Sequence, residues 1–337
     1  MTFILKNSWV QPWVPTLVKE SLGIGHLDGH LDRFNIPYTK EEEAFERQPY
    51  FTGDRHTDFN EHKIFSATWD RSDRTAVADV IQVHGLHDHA TRWAATPWPK
   101  AILDAGFRVT NIDLIGHGRS SGLHGAFTSI DEQVDAVKTV LLEVVKKLPP
   151  TKSKKVFLLG GSLAGLILLT YSVTYGKDPK AKPDGMVVLC PLVDAAADSR
   201  PSYVVELIAK GLSYFTPFLP LAEANRGKNS TDPRMEELFF EDPLTYHGRL
   251  RIGTALALLR GFERLQKNLE NVETPFIVIH GDADRATSPE GSKLLHAKSR
   301  AKDKTLRIVP GQQHDLCREP KSREILADSI EWLKKRV

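Results

Sequence analysis

The chain has 337 residues, of which 41% are hydrophobic, so it is long enough to bury a large core and disorder is not expected. Its 45 basic and 43 acidic residues leave a formal net charge of +2, which gives no electrostatic reason to expect a nucleic-acid partner. The two cysteines, Cys190 and Cys317, lie in different segments and indicate a reducing compartment rather than a disulfide scaffold.

Residues 1–48 are predicted to form an arm outside the main fold. They lack the basic and apolar regions of a secretory signal, and no apolar run in the chain reaches the roughly 18 residues of a spanning helix. Trp9 and Trp13 favour either packing on the body or an interfacial anchor, because indoles prefer the headgroup region of a bilayer. Alternating His and Asp residues at 26–34 make only a weak metal site. We expect a cytoplasmic protein, with peripheral membrane contact through this arm or the cap left open.

Short apolar runs alternate with helical patterns along most of the remaining chain. The runs end at Gly, Pro or a Gly-containing loop, which is typical of buried strands. Between two of them, residues 129–148 predict a helix that begins at Ser129, since Glu132 follows three residues later as in a capping box. Alternating strands and helices predict an α/β fold with a mostly parallel sheet covered on both faces. The six runs are VADVIQVHG, FRVTNID, VFLLGG, GMVVLCP, PFIVIHG and KTLRIVPG.

Residues 195–274 interrupt this alternation with helical patterns and no strand run. An insertion at this point would lie over the carboxyl ends of the strands, where open α/β sheets bind ligands. We therefore predict that 195–274 form a helical cap and the return to a core built from 49–194 and 275–337. Apolar residues after the first cap helix are the expected lining of an acyl-chain site. They are Tyr214, Phe215, Phe218, Leu219 and Leu221.

The sequence GGSLAG places Ser162 between a predicted strand and a predicted helix, as in a nucleophile elbow. A serine hydroxyl needs a base, a carboxylate that orients the base, and donors for the oxyanion. In such an elbow the residues two positions before and after the serine must be small, because strand and helix pass close together. Here they are Gly160 and Ala164, and Ala164 departs from GxSxG by one methyl group. The pattern indicates Ser162 as a nucleophile.

The base and the acid are expected after the last two predicted strands, in the chain order Ser, Asp, His. His314 follows the last strand in PGQQHDLCRE, and Asp284 follows the preceding strand in HGDAD. Asp282 in the same loop and Asp194 after an earlier strand remain alternative acids.

Two backbone amides are candidates for the oxyanion hole. Leu163 stands at a helix N-terminus beside the nucleophile, and Leu86 lies in the HGLHDH loop, where Gly85 is expected to permit a tight turn. This loop has the composition of a metal site, but a serine triad needs no metal or cofactor. We therefore predict that its polar residues form a hydrogen-bonded scaffold. They are His84, His87, Asp88 and His89.

Together these segments resemble the α/β-hydrolase superfamily, and within it the monoacylglycerol lipase and lysophospholipase branch, which is serine aminopeptidase-like. HGLHDHATRW is similar to the HGxxEHxxRY loop of that branch, DLIGHGRSSG to its DxxGHGxSxG turn, and GGSLAG to GHSMGG. HGDADRATSPEGS and PGQQHDLCRE complete the resemblance, which runs from about residue 51 to the C-terminus.

The resemblance implies an eight-stranded, mostly parallel sheet, a helical cap and hydrolysis of a single-chain glyceride ester without a cofactor. It implies Ser162, Asp284 and His314 as the triad and the amides of Leu86 and Leu163 as the oxyanion hole. The chain departs from the family pattern at four positions. Gly161 replaces the histidine before the nucleophile, Leu163 the methionine after it, Ala164 a glycine and Asp88 a glutamate.

The expected function is therefore that of a serine ester hydrolase acting through an acyl-enzyme. Its expected partner is a small-molecule ester or lipid, with a monoacylglycerol or another medium-to-long-chain monoester as the first hypothesis. An acyltransferase or pathway release enzyme, an aminopeptidase-like hydrolase and a non-catalytic binding protein remain alternatives. An aminopeptidase would need cap carboxylates that hold an α-ammonium group. The candidates are Glu206, Glu223, Glu236 and Glu237.

Overall fold

An eight-stranded sheet forms the centre of the protein in a computed structural model that describes residues 33, 36–47, 50–196, 202–222 and 227–337. Its order is β1-β2-β4-β3-β5-β6-β9-β10, with antiparallel pairing only where β2 meets β1 and β4. The predicted α/β-hydrolase architecture is thus confirmed. The strands are β1 (Phe51–Phe59), β2 (His62–Trp69), β3 (Asp79–Val83), β4 (Arg108–Ile112), β5 (Val156–Gly161), β6 (Gly185–Leu189), β7 (Pro220–Ala222), β8 (Leu250–Arg251), β9 (Phe276–Gly281) and β10 (Lys304–Val309).

Ten α-helices are assigned within the described residues, and short 3-10 turns follow two of them. The predicted arm, the two tryptophans in it and the metal-site candidates at 26–32 lie outside the described part of the chain, apart from Arg33 and residues 36–47. The helices are α1 (Lys40–Glu46), α2 (Ala90–Ala94), α3 (Pro97–Asp104), α4 (Ile130–Glu143), α5 (Leu163–Tyr175), α6 (Tyr203–Ser213), α7 (Pro233–Glu241), α8 (Ile252–Gln266), α9 (Pro289–Lys298) and α10 (Ser322–Lys334).

The central strands are buried on both faces, which explains why their sequences are almost continuously apolar. Alternate side chains enter two separate core clusters. On β5, Leu158 packs with the cluster that includes α4 and α5, while Phe157 and Leu159 pack with the cluster that includes α3 and α10. Helices therefore cover both faces of the sheet, and the parallel pairing of its central strands places their carboxyl ends at one edge.

The first two strands had no counterpart among the six predicted runs. β1 has the polar sequence FTGDRHTDF, and none of its residues is fully buried. It lies at the edge of the sheet and pairs only with β2. An exposed edge strand needs no apolar run, so the pattern that revealed the central strands was absent here.

The helix predicted from Ser129 is α4. The Ser129 side chain accepts a hydrogen bond from the backbone N–H of Glu132, and Val137 and Val140 are fully buried on the face toward the sheet. Its N-terminal cap and its buried face are therefore as predicted, but the helix ends at Glu143 and a 3-10 turn replaces the predicted continuation to residue 148.

The segment 195–274 contains α6, α7, α8 and a small two-stranded sheet formed by β7 and β8. The expectation that it contains no strand was wrong, because strands of two and three residues are too short to show a period. Leu258, Phe262 and Leu265 of α8 join the core cluster, whereas α6 and α7 have no fully buried residue. Within the described chain, no helix combines the length and the apolar character required to cross a membrane.

Candidate active site

Ser162 occupies the sharp turn between β5 and α5. Its backbone angles, φ 57° and ψ −121°, are unfavourable for a residue with a side chain, which is typical of a nucleophile elbow. Its N–H donates to the carbonyl oxygen of Leu189 at 3.0 Å, which fastens the turn to the end of β6. The strained turn raises Ser162 above the carboxyl end of the sheet.

The small residues around Ser162 are required by close packing. A Cβ atom on Gly160 would lie 2.7 Å from the Cβ of Ala164 and 2.9 Å from the carbonyl oxygen of Val83. A Cβ atom on Gly165 would lie 2.5 Å from the Cβ of Pro191. The extra methyl group of Ala164 thus fits because its neighbour across the turn is a glycine.

His314 and Asp284 form a buried hydrogen-bonded pair beside this turn. The Nδ1 atom of His314 lies 2.7 Å from Oδ2 of Asp284. Burial lowers the pKa of His314, but the nearby carboxylate outweighs burial, so the pKa lies above its ordinary value. The pairing leaves the opposite ring nitrogen, Nε2, as the atom for proton exchange.

The loop after β9 holds the Asp284 carboxylate in place. Oδ1 accepts hydrogen bonds from the N–H groups of Ala286 and Thr287 at 2.7 and 3.0 Å, and the Thr287 hydroxyl donates to Oδ2 at 2.9 Å. His280, which the sequence did not single out as a partner, places Nε2 at 3.2 Å from Oδ2. Although burial raises the pKa of Asp284, the two histidines hold it well below its ordinary value. The group is an anion at neutral pH.

The two alternative acids have other contacts. Asp282 accepts a hydrogen bond from the N–H of Gly311 at 2.6 Å in an exposed part of the same loop. Asp194 accepts through its backbone oxygen from the N–H of Ser288 at 2.9 Å. Of the three aspartates, Asp284 is the one hydrogen-bonded to His314.

Ser162 and His314 line a common cavity of about 190 Å³. None of the five residues expected to line an acyl-chain site borders it, and Tyr214 and Phe215 are 87% and 76% exposed. That expectation was wrong because it rested on apolar composition, which does not reveal whether a side chain faces a cavity or solvent. Apolar walls come instead from Leu86, Trp93, Leu189, Met235, Phe239, Phe240 and Tyr246.

The two candidate oxyanion residues flank Ser162. Leu163 is the first residue of α5, so its N–H has no acceptor within the helix, and Leu86 lines the cavity. A Cβ atom on Gly85 would make an ordinary 3.6 Å contact with the Cβ of Ser162. The left-handed residue of this loop is His87, with φ 63°, rather than Gly85.

Three of the four polar side chains of the HGLHDH loop, those of His84, Asp88 and His89, make hydrogen bonds, whereas Nε2 of His87 is buried without a hydrogen-bond partner. His84 accepts through Nε2 from the N–H of Leu114 at 2.9 Å, and His89 places Nε2 at 2.8 Å from Oδ2 of Asp242. Burial and the positive charge of Arg251 lower the pKa of His87 to about 3. Within the described residues these groups do not bring three metal-ligand atoms together.

Two Arg–Asp pairs form a charged wall of the cavity. Arg92 lies 3.0 Å from Asp88, and Arg318 lies 2.8 Å from Asp315 and donates to the backbone oxygen of Arg92 at 3.0 Å. Burial raises the pKa of Asp88, but the two guanidinium groups hold it below its ordinary value. Sequence reasoning assigned no role to either arginine, although Arg92 is the arginine of the HGxxEHxxRY pattern and Arg318 lies four residues after His314.

Cys190, Asp284 and His314 are the described residues whose possible metal-ligand atoms converge, all within 4.8 Å of one another. Burial and the Asp284 carboxylate raise the pKa of the Cys190 thiol well above its ordinary value. A protonated thiol is a poor metal ligand, and the other two groups are already hydrogen-bonded to each other. The donor set therefore fits a buried polar cluster better than a metal centre.

Comparison with known proteins identifies the family of this chain. The family described as "Serine aminopeptidase, S33" matches residues 74–321. The caffeoylshikimate esterase of Arabidopsis thaliana is 30% identical over 88% of this chain and 90% of its own length. The monoacylglycerol lipase of Mycolicibacterium smegmatis is also 30% identical, over 75% of this chain and 87% of its own.

A solved structure is similar as well. The monoacylglycerol lipase of Paleococcus ferrophilus superposes with a TM-score of 0.70 at 28% identity, covering 81% of this chain and 99% of that protein. Sequence comparison and structure comparison thus both relate the chain to ester hydrolases.

Proposed function

The chain belongs to the serine aminopeptidase S33 family of α/β-hydrolases and is a carboxylic ester hydrolase, and from this we propose its substrate and mechanism. We propose that it cleaves a monoacylglycerol-like or other medium-to-long-chain monoester through an acyl-enzyme on Ser162. The observation that carries the proposal is the shared cavity of Ser162, His314 and Leu86, with His314 hydrogen-bonded to a buried, ionised Asp284.

The proposed reaction has two steps. His314 takes the Ser162 proton as the oxygen attacks the ester carbonyl, and then returns that proton to the departing alcohol. Water then gives a proton to His314 and attacks the carbonyl carbon of the acyl-enzyme. The bond to the Ser162 oxygen breaks, His314 returns the proton to that oxygen, and the acid is released. Asp284 stabilises the imidazolium in both steps, and the amides of Leu86 and Leu163 are the proposed oxyanion donors.

The cavity walls support an amphiphilic substrate. Aromatic and aliphatic side chains such as Trp93 and Phe239 suit an acyl chain. The charged wall, Asp88 with Arg92 and Asp315 with Arg318, offers both acceptors and donors to a hydroxyl-bearing alcohol. We therefore propose that the alcohol part of the ester is polar and the acyl part apolar.

Residues 195–274 are proposed to act as the cap over this cavity. Met235, Phe239 and Phe240 of α7 contribute to its wall.

The preceding helix, α6, has a different proposed role, because its apolar side chains are exposed, including Leu207 at 58% and Ile208 at 56%. We propose that they contact a membrane surface peripherally, and co-sedimentation with phosphatidylcholine vesicles tests this. Replacing both residues by Ser should abolish vesicle binding while leaving hydrolysis of a dissolved ester unchanged.

We also propose a cytoplasmic location. Cys190 and Cys317 are both buried free thiols, as expected for a protein of a reducing compartment.

Labelling by a fluorophosphonate probe tests the proposed nucleophile. The wild-type protein should be labelled with one adduct on Ser162, and Ser162→Ala should not be labelled. An unlabelled wild type would favour a non-catalytic binding protein.

A substrate panel tests the specificity. It compares monoacylglycerols of graded chain length, methyl esters of the same acids, an aromatic acid ester of a polyol and an aminoacyl anilide. We expect the highest kcat/KM for a monoacylglycerol. Preference for the anilide would favour an aminopeptidase, for which Glu236 is a candidate cap carboxylate that lines the cavity. Ester products formed with competing alcohols would indicate acyl transfer.

A further inference from the structure

Glu319 lies where the segment 229–232 meets the loop that carries His314. Its side chain is buried, with only 2% of the residue exposed. Oε1 accepts hydrogen bonds from the Ser230 hydroxyl at 2.8 Å and from the N–H of Thr231 at 2.9 Å. Oε2 accepts from the N–H of Gln313 at 3.1 Å. One carboxylate therefore joins both segments.

A second link lies on the other side of His314. The N–H of Asp315 donates to the carbonyl oxygen of Asn229 at 2.7 Å. The residues before and after His314 are thus both tied to the segment 229–232, directly or through Glu319. Asn229 and Ser230 also line the cavity, so the same segment meets substrate and holds the loop of the base.

The buried carboxylate makes this link costly to break. The Thr231 hydroxyl adds a third donor from the segment, at 3.2 Å from Oε1. If the segment moved away, Glu319 would keep only the N–H of Gln313 among these donors. A buried carboxylate without its hydrogen-bond donors is strongly unfavourable. When the segment 229–232 contacts Glu319, this contact favours one position of the His314 loop. By thermodynamic reciprocity, that position of the loop favours the contact to the same extent.

We propose that Glu319 is a positioning residue. Its hydrogen bonds couple the position of the segment 229–232 to the placement of His314 for proton transfer. This inference rests on the proposed function, because it assigns His314 as the base. Glu319 itself does not touch the reacting atoms.

The substitution Glu319→Gln tests the coupling with little change of volume. An amide has one acceptor oxygen and one donor NH₂, so the NH₂ must face either the N–H of Gln313 or the donors of Ser230 and Thr231. We expect kcat to fall about 10- to 100-fold through misplacement of the base. KM should stay within about threefold, because the cavity walls remain. The rate of fluorophosphonate labelling should fall in parallel with kcat.

Two further variants separate positioning from general stability. Glu319→Asp keeps two acceptor oxygens and should recover part of the lost kcat. Glu290→Gln removes a carboxylate that is exposed and paired with Lys293, and it should behave as the wild type. A Glu319→Gln protein that is less stable to urea but retains kcat within about twofold would overturn the proposal.

The double variant Ser230→Ala/Thr231→Val tests the link from the other side while leaving Glu319 intact. It should lower kcat, and adding Glu319→Gln should cause little further loss, because all three changes break one network. Independent, multiplying effects would overturn the coupling. If Glu319→Gln does not fold, the double variant decides: an unchanged kcat overturns the proposal. A wild type that the probe does not label refutes the proposed function instead.

Discussion

His314 and Asp284 are joined by a 2.7 Å hydrogen bond between Nδ1 and Oδ2, and the carboxylate also accepts hydrogen bonds from two backbone amides. This arrangement fixes which ring nitrogen faces the cavity. Several consequences can be measured.

Replacement of Asp284 by Asn should lower kcat by about 10³- to 10⁴-fold, because the amide no longer stabilises the imidazolium or holds the productive tautomer. Hydrolysis of a 4-nitrophenyl ester measures this. Asp282→Asn is the matched control, since Asp282 contacts Gly311 in the same loop, and it should stay within about threefold of the wild type. The reverse order of effects would assign Asp282 as the acid.

The pH dependence of kcat/KM should report the pKa of His314. The imidazole must be neutral to accept the Ser162 proton, so activity should fall as the pH drops through that pKa. Because Asp284 raises this pKa despite burial, the acid limb should lie above the ordinary value of about 6.5. Residual activity of Asp284→Asn should show a limb at lower pH. A limb that does not move would contradict the assignment.

Substitution of Gly160 by Ala should destabilise the protein by about 1–3 kcal/mol, since the new Cβ would meet Ala164 and the carbonyl oxygen of Val83. Urea unfolding measures the change. Ala164→Gly removes the other methyl group; it should cost only about 1 kcal/mol, as expected for glycine in a helix, and should retain activity. Equal stability of Gly160→Ala and the wild type would show that the turn can widen.

Replacement of Asp242 by Asn should destabilise the contact with the HGLHDH loop in a pH-dependent manner. Burial lowers the pKa of His89, but Asp242 outweighs it, so the folded-state pKa is raised. The stabilisation from protonated His89 is therefore complete below about pH 6.5 and is lost as pH rises through the folded-state pKa.

At about pH 5.5 the free energy of unfolding of Asp242→Asn should lie about 1–3 kcal/mol below that of the wild type, and the difference should shrink at about pH 9. The matched control is Glu270→Gln, which breaks an exposed pair with Arg300. A difference that grows with pH would contradict the pairing.

Local chemistry made some features predictable from the sequence. Ser162 was recognisable because an elbow needs small residues at fixed positions around the serine, and the central strands because burial on both faces requires apolar runs. β1 escaped prediction because an edge strand can be polar. Tyr214 and Phe215 were wrongly expected to line the cavity, since an apolar residue type does not reveal whether its side chain faces a cavity or solvent.

The sequence by itself determined the α/β-hydrolase architecture and the candidates Ser162, Asp284 and His314, because these depend on short-range patterns and chain order. Only the tertiary structure decided which aspartate meets His314, that Arg92 and Arg318 share a wall, and that Glu319 joins Thr231 across 88 positions of sequence. The physical reason is that such contacts arise from the packing of distant segments, where hydrogen-bond geometry and burial select among residues whose local sequence is equally suitable.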